Sequence, residues 1–163
     1  MKILIMRHGA ALPRQAAGVN YDAERPLAQA GRAHSRKVGA TLLAAGLTPE
    51  TVIASPAVRT QTTAELVCRQ LPEPPAIIPV PELMSGSASD ELLRSASLHA
   101  SGSGWTLAVM HEPDISYVLG MLLFAGRQYP FMVQPGDIFG LIVNTHGGSP
   151  RAELSFFYSP SAS

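Results

Sequence analysis

Apolar positions along the chain fall into two rhythms. Ile3, Leu4, Ile5 and Met6 form a continuous run after Lys2 and stop short of Gly9, so Lys2–Met6 reads as a buried strand. Ala10–Glu24 is a polar loop. From about Ala28 to Ala45 the spacing turns helical, with Val38, Leu42 and Leu43 on one face and Gly46 placed to close the C-terminus. Thr51–Ala54 is a second strand, stopped by Ser55-Pro56. Val58–Leu71 is helical, with Ala64, Leu66, Val67 and Leu71 facing inward, and Pro72, Pro74 and Pro75 end it. Ile77–Val80 is a third short strand. Pro81–Ser89 is a Gly/Ser-rich loop, and Asp90 caps a weaker helix to about Ala100. Thr106–Met110 is the fourth strand, and Asp114 caps a helix over Ile115–Phe124. Ile138–Asn144 and Ala152–Tyr158 pair as an antiparallel hairpin around His146-Gly147-Gly148, and Ser159–Ser163 is a frayed tail.

This alternation of strands and helices predicts an α/β fold, a three-layer sandwich whose central sheet is mostly parallel with an antiparallel strand near its edge. There is no repeat and no sign of a second domain, so residues 1–163 are expected to form one domain.

Composition narrows the function. Apolar residues make up 46% of the 163 and charged residues 15%, the balance of a globular chain with a sizeable core. Twelve basic residues offset twelve acidic ones, which argues against nucleic acid or a membrane surface as partner. All the basic residues except Lys2 and Lys37 are arginine, a bias that suits fixed recognition of anions and equally fits genomic composition. Cys68 stands alone, so no disulfide framework or zinc set is expected, and it reads as a small core residue. Lys2 leads straight into the first strand without a signal peptide, and no apolar stretch reaches membrane-spanning length. A cytoplasmic protein is expected.

The chemistry lies where the strands end. In open α/β sheets, ligands gather at the carboxyl ends of the strands. Arg7-His8-Gly9 follows the first strand: an arginine can clamp a phosphate, an imidazole can attack it, and a glycine lets an oxyanion approach the backbone. Ser55-Pro56 follows the second strand, with Arg59 one turn into the next helix. Glu82 follows the third and His111 the fourth. Two arginines, two histidines and one carboxylate thus converge on one edge.

Five motifs carry a family resemblance: Met6-Arg7-His8-Gly9; Arg25-Pro26-Leu27 with Gly31 four residues later; Ser55-Pro56-Ala57-Val58-Arg59 followed by Gln61-Thr62; Pro81-Glu82-Leu83; and His111-Glu112-Pro113. In this order they resemble the histidine phosphatase superfamily, whose fold is phosphoglycerate-mutase-like. The short interval between Arg59 and Glu82 is most similar to the small SixA-type phosphohistidine phosphatases, and implies that no large cap subdomain is present.

The resemblance implies phosphoryl transfer through a phosphohistidine on His8, which water then hydrolyses. Arg7, Arg59 and His111 would surround the phosphoryl oxygens and keep His8 neutral. Gly9, Arg25 and Glu82 would contact substrate, with Glu82 where many relatives protonate the leaving group. Neither a metal nor another cofactor is expected. The implied partner is a phosphohistidine-bearing protein such as a phosphotransfer domain; the alternative is a phosphomonoesterase for a small metabolite. A bare phosphate-binding module would be favoured only without His8.

Three positions depart from the family pattern. Ala10 follows Gly9 where an acid is common. Ala28 leaves the next helix without its usual hydroxyl cap, and Met110 crowds the position before His111. Other residues have ordinary readings: His34 a solvated helix position, His99 a helix end, His146 a Gly-rich turn, Trp105 a strand-entry core residue, and Asp90/Glu91 a helix-start charge cluster.

Overall fold

Ile3 and Ile5 point to one face of the first strand and Leu4 and Met6 to the other, and all four are fully buried. That two-sided burial requires a layer of helices on each face. The computed structural model describes residues 1–84, 86, 89–100, 103–127, 132–144 and 149–161. It contains strands β1 (Lys2–Arg7), β2 (Pro49–Ala54), β3 (Ile77–Pro79), β4 (Trp105–Met110), β5 (Ile138–Asn144) and β6 (Arg151–Tyr158). Its helices are α1 (Arg14–Ala17), α2 (Gln29–Ala44), α3 (Val58–Cys68), α4 (Ser89–His99) and α5 (Asp114–Leu123). The sheet order is β3-β2-β4-β1-β5-β6. The first four neighbours run parallel; β5 is antiparallel to both β1 and β6. This is the expected α/β sandwich, with the reversed strand one place in from the edge.

Two cores flank the sheet. Ile3, Ile5, Ala108, Phe139 and Leu141 meet Leu92, Leu93 and Ala96 of α4 and Ile115, Val118, Leu119 and Leu122 of α5. On the other face Leu4, Met6, Val52, Leu107 and Val109 meet Val38 and Leu42 of α2 and Ala64, Val67 and Cys68 of α3. Cys68 is buried as expected, which pushes its thiol up to about 11.

The face of α2 differs from the sequence reading. Leu43 is 41% exposed, and the buried stripe is Gly31, Ser35, Val38, Gly39 and Leu42. Small residues, rather than a third leucine, bring α2 against its neighbours: a Cβ on Gly39 would run into the carbonyl oxygen of Val67. Gly46, at φ +68°, ends the helix, with Leu47 N bonded to Leu42 O and Gly46 N to Leu43 O. At the other end Ala28 makes no side-chain cap.

Other boundaries shift for local reasons. Asp114 lies inside the first turn of α5, where Pro113 is the N-cap; its carboxylate accepts from Gly86 N at 2.9 Å instead of capping. The Asp90 side chain and the His146-Gly147-Gly148 turn lie outside the described residues. Met110 is 2% exposed and packs into the α4/α5 core, so it does not crowd the space before His111. Trp105 opens β4 half-buried against the opposite core. His99 sits in the last turn of α4, and His34 is half-buried rather than fully solvated. Among the described residues no helix is long and apolar enough to cross a membrane.

Candidate active site

The parallel register of β1 and β4 pairs Arg7 with Met110, so the next residue on each strand is a histidine. His8 N donates to Met110 O at 3.1 Å, and the His8 and His111 rings lie edge to face with centroids 5.2 Å apart. β2 lies on the other side of β4. Ser55 N donates to Val109 O at 3.1 Å, and α3, starting three residues later, carries Arg59 inward until it is 5% exposed. Three neighbouring strand ends thereby deliver two imidazoles and a guanidinium to one place.

The sequence reading did not find the contribution of β5. Because it runs antiparallel, its N-terminal approach reaches the same edge as the C-termini of the parallel strands. Arg7 Nη1 donates to Val133 O at 2.6 Å, and Gly136 N to His8 O at 3.2 Å. Pro135 and residues from Ala10 to Arg25 close the sides. The resulting pocket of about 380 Å³ is lined by Arg7, His8, Asp22, Arg25, Arg59, His111 and Glu112, with Ala10, Ala11 and Pro135.

Hydrogen bonds orient both rings. His8 Nδ1 lies 2.8 Å from the carbonyl oxygen of its neighbour Gly9, so Nδ1 carries the proton and Nε2 keeps its lone pair. That Nε2 accepts from Arg59 Nε at 3.2 Å. Gly9 itself is fixed, its N donating to Thr63 Oγ1 at 3.0 Å; a Cβ there would stand 2.7 Å from Gly31 O. His111 Nδ1 faces Arg59 Nη2 at 3.3 Å, leaving Nε2–H to donate to Ser55 Oγ at 2.8 Å.

Electrostatics follows from this burial. Burial first, then the positive charges of Arg59, Arg7 and Arg25, lower His8 to about 4 against the bond to Gly9. Burial and Arg59 lower His111 to about 3. Both imidazoles are therefore neutral near pH 7. Burial also lowers Arg7, which remains a cation.

Arg59 does more than face the histidines. Its Nη1 donates to Asp22 O at 2.6 Å and its Nη2 to Asp22 Oδ2 at 2.8 Å. Arg25 donates from Nη1 to Asp22 Oδ1 at 2.9 Å and from Nε to Leu12 O at 2.7 Å. Asp22 opens a 3-10 turn, Asp22–Glu24, in what the sequence presented as a plain loop. Its spacing of three from Arg25 was the available signal.

The structure thus brings Arg7, His8, Gly9, Arg25, Arg59 and His111 together. Glu82 does not line this pocket. β3 is a three-residue edge strand, and Pro81 turns the chain into a 3-10 helix that carries Glu82 to the surface. There it lines a separate recess with Arg94, Ser95 and His99. The carboxylates that do line the pocket are Asp22 and Glu112, the latter displayed by the sequence beside His111 without being marked as chemistry. Ser116 holds Glu112, through Oγ to Oε1 at 2.6 Å and through N to Oε2 at 3.1 Å.

The chain is similar to known phosphatases in sequence and fold. The family profile described as histidine phosphatase superfamily (branch 1) matches residues 3–84. The solved structure of the protein histidine phosphatase SixA complexed with tungstate is 25% identical, with 99% of each chain covered and a TM-score of 0.84. SixA from Agrobacterium tumefaciens is 20% identical over 98% of this chain and 97% of that one, with a TM-score of 0.78. The alpha-ribazole phosphatase from Shigella flexneri is 19% identical over 98% and 97%, with a TM-score of 0.68. No curated protein matches the chain.

Proposed function

We propose a function from one premise: this chain belongs to the histidine phosphatase superfamily. It is a phosphatase whose nucleophile is His8, and its substrate is a phosphohistidine side chain on another protein, such as a phosphotransfer domain. One observation carries the reading. The His8 ring is tied through Nδ1 to Gly9 O, so its unprotonated Nε2 faces the guanidinium of Arg59 inside a pocket lined by Arg7 and His111.

Nε2 attacks phosphorus in line, the N–P or O–P bond of the substrate breaks, and the phosphoryl group rests on His8. Arg7 and Arg59 meet the charge on its oxygens. His111, held by Ser55, lines the same space with Nδ1 beside Arg59. Water then displaces phosphate and restores the free imidazole. The guanidinium groups supply the charge a metal would otherwise bring, so this chemistry asks for no metal ion.

The substrate class rests on two features. Among the described residues no large cap covers the pocket, so a side chain on a protein surface can reach it. An imidazole is also a far better leaving group than an alkoxide and needs little help from an acid. A second reading, a phosphomonoesterase for a small metabolite, is favoured by Glu112: a carboxyl group lining the pocket can protonate an alkoxide. Hydrolysis rates on a phosphohistidine protein and on a panel of alkyl phosphates, measured side by side, separate the two. A rate constant at least about tenfold higher on the protein supports the first reading, and the reverse order supports the second.

A further inference from the structure

Arg59 is 7% exposed at its side chain and Asp22 is 60% exposed, yet the two form an ion pair. A surface carboxylate is reaching inward onto a buried cation. Arg59 is fully engaged in this state: Nε on His8, Nη1 on the Asp22 carbonyl, and Nη2 on both the Asp22 carboxylate and His111 Nδ1. The other Asp22 oxygen accepts from Arg25. The bond to Arg25 and the charge of Arg59 hold this carboxyl below the usual carboxylate range, so it is ionised at neutral pH.

We propose that Asp22 is a specificity-determining residue: its carboxylate is an internal anion that an incoming phosphoryl group must displace from Arg59. The inference rests on the phosphatase reading and deepens it. A phosphoryl oxygen placed between His8 Nε2 and His111 Nδ1 approaches the Nη2 edge that Asp22 Oδ2 already occupies, and the two anions repel. Of the four acceptors on Arg59, the Asp22 carboxylate is the one both charged and on the exposed side, so it is the one that yields. Free inorganic phosphate has only the pocket to hold it and competes poorly. A phosphoryl group on a protein brings further contacts outside the pocket, and binds despite Asp22. The site therefore discriminates against the free anion that it produces.

Asp22→Asn tests this directly. The substitution removes the charge and keeps the main-chain carbonyl that anchors Arg59 Nη1, so it does not unmoor the arginine. Titration calorimetry with inorganic phosphate and with tungstate reads binding without turnover. The expected result is about tenfold tighter binding of both anions to Asp22→Asn, with a matching rise in product inhibition by phosphate. Were Asp22 merely a structural brace for Arg59 and Arg25, the variant would bind them more weakly. Weaker or unchanged binding overturns the proposal. If neither the native chain nor Asp22→Asn binds either anion, the phosphate-pocket reading fails and takes the proposal with it; native binding without tightening in the variant overturns the proposal alone.

Discussion

Arg59 Nε donates to His8 Nε2 at 3.2 Å, so the guanidinium rests on the one ring nitrogen of His8 that the backbone does not hold. The contact does two things at once. It keeps a positive charge beside the imidazole, which disfavours protonation, and it marks where the phosphoryl group must enter. Fifty-one residues separate the pair in sequence. The shared edge of β1, β4 and β2 joins them.

Removing that charge is expected to be costly. Arg59→Ala should lower kcat/KM by on the order of 10²–10³, the usual effect of deleting one preorganised donor. Arg59→Lys should restore little of it, because an ammonium cannot span His8, His111 and Asp22 with one planar fork. Steady-state kinetics on any accepted substrate checks both variants.

The buried neutral histidines link stability to pH. His8, at about 4, and His111, at about 3, lie below the unfolded histidine value of 6.5. Between those values the unfolded chain binds protons that the folded chain refuses, so stability rises with pH across this window. Cooling of Tm on acidification from pH 7 towards 4 is the expected outcome. His111→Asn should flatten the slope, and its denaturant midpoints at several pH values measure it.

The two carboxylates should separate by substrate. Glu82→Gln is expected to leave every activity within about twofold, since surface substitutions away from a site have small effects. Glu112→Gln should reduce hydrolysis of alkyl phosphates by on the order of a hundredfold and that of phosphohistidine by less than about tenfold. Parallel rates on the two substrate types for both variants decide it.

Close packing gives a prediction in pure stability. A methyl on Gly39 meets the backbone of α3, remote from the pocket; one on Gly31 meets the backbone of Ala10, next to the pocket. Each substitution to alanine should cost about 1–3 kcal/mol by overpacking. Gly31→Ala should also lose activity, whereas Gly39→Ala should keep the native kcat in its folded fraction. Urea melts paired with assays distinguish them.

What the sequence made legible followed from strong periodicity. The runs at Ile3–Met6 and Thr106–Met110 are buried on both faces, and such strands in α/β folds deliver their following residues to one edge. His8, Arg59 and His111 were found on that ground. Glu82 lies outside the pocket lining because an edge strand of three residues followed by Pro81 lacks the length to aim its successor. Asp22 and the approach to β5 were missed for a different reason. They reach the pocket through loop geometry, which leaves no period in the sequence. Leu43 was misread because hydrophobicity alone ignores how closely Gly31 and Gly39 let α2 approach.

The central claim is that His8 carries the phosphoryl group. Rapid mixing with a phosphorus-labelled phosphohistidine protein, quenched without acid, should trap a phosphoenzyme that is stable to alkali and labile to acid. Peptide mapping should place the label on His8, and His8→Ala should neither form the species nor turn over substrate, with or without a chelator present. Undiminished turnover by His8→Ala, or a label on any other residue, would contradict the account.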